Sequence, residues 1–266
     1  MANPLILFEN IFEDGTVTQT SEASGFPIEN ALDWRIGTPF RWKATSTALQ
    51  NIEVDLGVGV TAQPTAIVIG GHNLGTESCT YKVLADSSTP PGNTILAATA
   101  AADDLPVIST WSTPTAYRYW RVQISAASAN PVQIGALTLG RRIDWEAGPL
   151  PDFDAYGFEL ESEGTRSENG AFLGTNVITE RRDFRMSYTE IGMTRDSFFA
   201  PAAGISFDTD FLPHVKAGKP FWFTWNIDVD TDQTFLCKTT EIRMPFIGST
   251  KRRGLSATFA AYREIA

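Results

Sequence analysis

The sequence predicts an all-β protein made of two sandwich-like parts, and three observations predict it. Short apolar runs rich in Val, Ile, Thr and aromatic residues recur along the chain, each closed by Gly, Pro, Asn or Asp. Long stretches with a 3.6-residue period are missing. The chain has 266 residues, 42% of them hydrophobic and 11% aromatic, which is enough to fill two cores.

In the first half, strands are expected at Asn51 to Gly57, Ala66 to Gly70, Thr80 to Leu84, Tyr119 to Ile124 and Gly135 to Leu139. In the first of these, Ile52, Val54 and Leu56 alternate with Asn51, Glu53 and Asp55. One face of that strand is therefore buried and the other is wet, as in an antiparallel sheet. In the second half the expected strands are Tyr156 to Leu160, Asn176 to Thr179, Asp183 to Tyr188, Pro220 to Trp225, Thr234 to Cys237 and Leu255 to Tyr262. The single short helix falls at Thr209 to Ala217. It has Asp210 near its start, Pro213 tolerable only in its first turn, Lys216 in its last turn and Gly218 to stop it. Pro and Gly around Gly148 to Pro151 break any regular element, and the boundary is placed to give domains 1–141 and 142–266. The polar stretch Glu161 to Asn169 reads as a long hairpin loop within the second part.

The formal charge is −10, from 21 Lys and Arg against 31 Asp and Glu. Such a surface repels phosphate and anionic lipid at long range, which argues against direct nucleic-acid or membrane binding. No run approaches the ~18 apolar residues of a membrane-spanning helix. The N-terminal stretch lacks a basic region and a long apolar core, so the expectation is a protein made in a cytoplasm that stays soluble or leaves by a route that reads no N-terminal signal. Cys79 and Cys237, one in each half, have no metal or redox spacing and read as buried or incidental thiols.

Between Ser24 and Gly140 the chain carries Pro27-Ile-Glu-Asn30-Ala-Leu-Asp33-Trp34, Thr38-Pro-Phe-Arg41-Trp42, Ile52-Glu-Val-Asp55-Leu-Gly57, Tyr117-Arg-Tyr-Trp-Arg-Val-Gln-Ile124 and Ile134 to Gly140. This order of features resembles a discoidin-type, galactose-binding-like (factor 5/8 type C) jelly-roll β-sandwich. The resemblance implies loops at one end that bind sugars, lipid heads or proteins, sometimes with a calcium ion bracing the barrel, and it transfers no binding residue. The second half, through Thr165 to Gly174, Glu180 to Tyr188, Lys219 to Trp225 and Lys251 to Phe259, resembles the β-domain of phage tail-tube and distal-tail proteins, with Thr165 to Gly174 as its hairpin arm. That resemblance implies a hexameric ring around a channel through which genome DNA passes as cargo. The domain order departs from it, since the ring-forming domain of distal-tail proteins comes first.

Candidate chemistry is thin. Asp228-Val-Asp230-Thr-Asp232 fails as a calcium loop, because Gln233 and Thr239 stand where Gly and Glu are needed. His72 and His214 lie far apart and no Gly-x-Ser-x-Gly elbow accompanies them. The pairs Asp103-Asp104, Asp152/Asp154 and Asp208/Asp210 read as solvated acids at loop ends. Trp34, Trp42, Trp111 and Trp120 read as core or rim packing in preference to sugar platforms. Arg181-Arg182 and Lys251 to Arg253 read as subunit-contact ion pairs or as a solvated face. No catalytic, cofactor or metal residue is nominated.

The expectation is a non-enzymatic virion structural protein of a phage tail tip or baseplate, assembled in the host cytoplasm. As a homo-oligomer, it would form a ring continuing the tail tube and attach tail-tube, hub and fibre proteins. Its first module would bind neighbours or a host glycan, and the competing expectation is a lectin-like, carbohydrate-binding adhesin.

Overall fold

The computed structural model describes residues 4–112, 114–144, 159–166, 172–188, 200–201, 207–226, 233–243 and 255–263. In chain order the strands are β1 (Leu5–Leu7), β2 (Thr16–Gln19), β3 (Trp42–Lys43), β4 (Gln50–Asp55), β5 (Ala66–Gly70), β6 (Thr80–Asp86), β7 (Asn93–Ala100), β8 (Val107–Thr110), β9 (Tyr119–Ile124), β10 (Gln133–Ile134) and β11 (Ala136–Gly140). There follow β12 (Arg142–Asp144), β13 (Glu159–Arg166), β14 (Phe172–Tyr188), β15 (Ala200–Pro201), helix α1 (Leu212–Lys216), β16 (Phe221–Thr224), β17 (Thr234–Arg243) and β18 (Leu255–Arg263). Among the described residues the protein is all-β apart from α1, a π-helical turn at Phe207–Phe211 and three short 3₁₀ turns.

Two antiparallel sheets, ordered β2-β4-β9-β6-β7 and β11-β5-β8, face each other in the first half. This sandwich is the architecture the discoidin-like resemblance implies. β4 alternates as its sequence does, with Ile52 and Val54 buried, and β9 opposes them with Val122 and Trp120 in register. Trp42 and Trp120 are fully buried in this core, so both fill volume there.

β5 and β11 behave differently, because every residue of both strands is buried. Ile67, Ile69, Leu137 and Leu139 face the sandwich core, while Ala66, Val68 and Ala136 pack outward on Leu5, Leu7, Trp222 and Leu236. A strand covered on both faces has no wet side to alternate toward, hence the continuous run Ala-Ile-Val-Ile-Gly.

The cover is a third sheet, ordered β13-β14-β18-β17-β16-β1-β12-β15. Its second face holds Ile6, Phe184, Phe221, Phe223, Phe235 and Phe259 under Phe211 and Leu212. Alternation along β16 sends Phe221 and Phe223 to that core and Trp222 to the sandwich. β1 lies inside this sheet, bonded to β16 on one side and β12 on the other. The chain passes from β11 to β12 between Gly140 and Arg142, but a division at 141/142 leaves β1 apart from the sheet it belongs to.

Two expectations are corrected. Glu161 to Arg166 is strand and not loop, because β13 continues its pairing with β14 as far as Arg166 and Phe172. The helix expected at 209–217 is only Leu212–Lys216, preceded by the π-helical turn, with Pro213 in its first turn and Gly218 at φ +75° after it. Tyr156 to Phe158 lie outside the described residues.

Candidate functional site

The hairpin of β13 and β14 is the most unusual element. β14 pairs with β18 only from Glu180 to Tyr188, whereas its pairing with β13 runs from Phe172 to Arg181. Phe172 to Thr179 and their β13 partners therefore continue as a two-stranded arm past the last paired residue of β18. At about 3.3 Å per residue, such an arm is about 26 Å long. Among the described residues it has no third strand. Two strands alone are marginal in water, and their outer edges present unpaired N–H and C=O groups. The opposite edge of the same sheet ends on β15, two residues long and including Pro201, which has no N–H to donate.

A second feature is the joint between sandwich and sheet. Gly70 lies so close to Trp222 that a Cβ there would stand 2.5 Å from the indole. The indole Nε1 donates to Thr138 Oγ1 at 2.8 Å with both residues buried, so the Trp222 N–H stays satisfied. Arg142 Nη1 donates to the carbonyls of Thr65 and Trp111, both at 3.1 Å. Arg141 grips the Glu9 carboxylate through two nitrogens, and Lys219 Nζ reaches Glu13 at 3.2 Å. His214 joins this group: its Nε2 meets the Pro220 carbonyl at 2.7 Å, and its ring meets Phe8 edge-on at 5.3 Å. Burial lowers the His214 pKa, which keeps the imidazole neutral against those rings.

At one end of the sandwich, the 72–79 loop binds its neighbours together. Glu77 accepts from Ser128 Oγ, the Ala129 and Asn130 amides and Asn130 Nδ2, and these bonds hold its pKa down at about 2. Asn73 donates to the Pro131 carbonyl and accepts from the Gln133 amide. Asp104 accepts from the Thr76 amide and hydroxyl, so it is a loop tie and is not paired with Asp103 as an acid–base couple. His72 is buried with Nδ1 accepting from the Leu74 amide at 3.2 Å, and burial lowers its pKa to about 4. Apart from the His72 Nε2, the polar side chains named here are spent on their neighbours.

The remaining candidates resolve individually. Trp34 and Trp111 are half-buried, their indoles donating to Glu13 and to the Pro64 carbonyl. Cys79 and Cys237 are buried in different cores. Arg182 is not a solvated face: it is 9% exposed and stacks on Phe235 at 4.9 Å. Asp210 accepts from the Thr209 hydroxyl. Asp152/Asp154, the Asp208 side chain, Asp228 to Asp232, the Arg181 side chain and Lys251 to Arg253 lie outside what is described. Among the described residues no three His, Cys, Asp or Glu gather as a metal site, and no helix is long and apolar enough to cross a membrane.

Sequence reasoning did not single out Glu77, Trp222, Thr138 or Arg142. For Trp222 a signal existed, since Phe221-Trp-Phe223 is apolar at successive positions, as in a strand covered on both faces.

No protein-family model and no curated protein matches the chain. Among solved structures it is similar to the family 32 CBM from C. perfringens NanJ in complex with galactose, at 19% identity over 51% of this chain and 98% of that one, TM-score 0.40. It is also similar to chitosan-binding module 1 from a chitosanase/glucanase of Paenibacillus sp. IK-5, at 20% identity over 49% and 98%, TM-score 0.40. A third is the lectin domain of lectinolysin complexed with Lewis B antigen, at 17% over 50% and 96%, TM-score 0.38.

Proposed function

We propose that this chain is a structural protein that works by assembly, a ring-forming component of a phage tail tip or baseplate. The observation that carries this reading is the arm, a pair of strands extended beyond the sheet, whose backbone groups call for a partner. A head-to-tail contact between unlike surfaces closes into a ring when its rotation allows. The sandwich is clamped to the ring-forming sheet by β1 and Trp222, so it would stand at a fixed angle and would not swing on a linker. The test is the mass of the purified chain by light scattering, together with a variant in which Asn-Gly joins Glu161 directly to Thr179. The expected result is a closed oligomer for the parent and a folded monomer for the variant. A parent that stays monomeric at all concentrations overturns the reading.

A second reading, carbohydrate binding, is favoured by one patch. Phe40 is 40% exposed, and the Arg35 guanidinium, itself paired with Asp33, stacks on its ring at 4.2 Å. An exposed aromatic side chain beside hydrogen-bonding groups suits a pyranose ring. Retention of the chain on a sugar column, lost in Phe40→Ala, supports this reading, and no retention contradicts it.

A further inference from the structure

The two sheets of the sandwich part along one flank, where β7 is the outermost strand of one sheet and β8 of the other. Between them lies a cleft of about 300 Å³. Its floor is the Tyr81 hydroxyl bonded to Ser109 Oγ at 2.8 Å, with Tyr81 buried. Ala102, Pro106 and Val107 contribute apolar wall, and Asp103 is the only charged group in the lining. Asp103 is exposed and oriented, because its Oδ1 accepts from the Leu105 amide at 2.9 Å. Oδ2 has no hydrogen-bond partner among the described residues.

A cleft with mostly apolar walls, neutral hydroxyls at its floor and a single carboxylate in its lining fits an alkyl chain that ends in a cation. A lysine side chain has that form, four methylenes that accept apolar cover and an ammonium that seeks an anion. The surroundings favour the same sign of partner, since residues 1–140 carry 12 acidic against 6 basic side chains and so draw a basic chain inward at long range.

We propose that the cleft between β7 and β8 receives a lysine side chain from an extended segment of a basic partner protein. The cleft lies wholly in the sandwich, so the proposal stands whether or not the arm builds a ring.

The test uses the full chain with selectively labelled Val and Ile methyl groups. The probe is the peptide Ac-Val-Lys-Val-NH₂, and its control is the same peptide with norleucine for lysine. The lysine peptide is expected to shift the methyl resonances of Val107 and Ile108, with binding that weakens as salt rises. The norleucine peptide should bind about fivefold more weakly, the scale of one exposed ion pair. Asp103→Asn should bring the lysine peptide down to the norleucine level, and Ala102→Trp, which fills the cleft, should abolish both. Equal binding of the two peptides, an unchanged affinity in Asp103→Asn, or no shift of Val107 and Ile108 at the peptide's solubility limit would each overturn the proposal.

Discussion

Two strand pairs show the extremes of this molecule. β5 and β11 are buried at every position, between the sandwich core and the cover formed by β1 and β16. The arm of β13 and β14 has strand neighbours on neither outer edge among the described residues. The backbone conformation is the same, but the sequences are opposite in kind: Ala-Ile-Val-Ile-Gly in β5 and Glu-Leu-Glu-Ser-Glu-Gly-Thr-Arg in β13. The buried pair holds the protein together, and the open pair has surface to offer another chain. Stability and the proposed assembly thus fall to separate parts of one fold.

The largest expected effect comes from removing the cover. Deleting residues 1–9 takes away Leu5, Ile6, Leu7 and Phe8, all buried, and opens the third sheet between β16 and β12. Each such side chain contributes about 1.5–3 kcal/mol on burial, so the four together match the whole stability of an ordinary domain. The deletion is expected to abolish cooperative thermal unfolding of both halves, as read by calorimetry. If the two halves were independent, an N-terminal transition would survive it.

Next in size is Trp222→Ala, expected to cost about 3–5 kcal/mol in denaturant unfolding by leaving a cavity against Gly70 and an unpaired Thr138 hydroxyl. Trp222→Phe, which keeps most of the volume but loses the hydrogen bond, should cost less.

Acid gives a third way to loosen the sandwich. His72 has a folded pKa of about 4 against an ordinary 6.5, so below pH 6.5 the unfolded chain binds a proton that the folded one refuses. Its contribution is complete above pH 6.5 and is lost as the pH falls to about 4, a loss of about 3 kcal/mol. Glu77, lowered from 4.5 to about 2, acts in the next window: its contribution is full above pH 4.5 and lost as the pH falls toward 2. Stability measured from pH 7 to pH 4 should decline, and His72→Asn should flatten that decline while leaving the fall below pH 4.5.

How much of this was legible in the sequence depends on the range of the contacts. The alternation of β4 and the buried places of Trp42 and Trp120 are local pattern, and the sequence reading holds for them. The polar composition of Glu161 to Asn169 reads as loop, but Glu161 to Arg166 pair as strand with β14, because backbone pairing to a neighbouring strand does not require apolar side chains. The double coverage of β5 was present as an unbroken apolar run, but what covers it was not, because Leu7 meets Trp222 across more than two hundred residues. The role of Glu77 was also hidden: nothing marks one acid in a loop as the acceptor for a turn fifty residues onward.

The smallest perturbation is dilution, and it tests the central contrast most directly. Amide hydrogen exchange can be followed for β5, β11, β13 and β14 across a range of protein concentration. The account predicts that β5 and β11 exchange slowly at every concentration, whereas the amides of Ser162 to Arg166 and Phe172 to Val177 exchange fast when dilute and become protected as the chain assembles. Arm amides that are equally protected in a dilute monomer would contradict it.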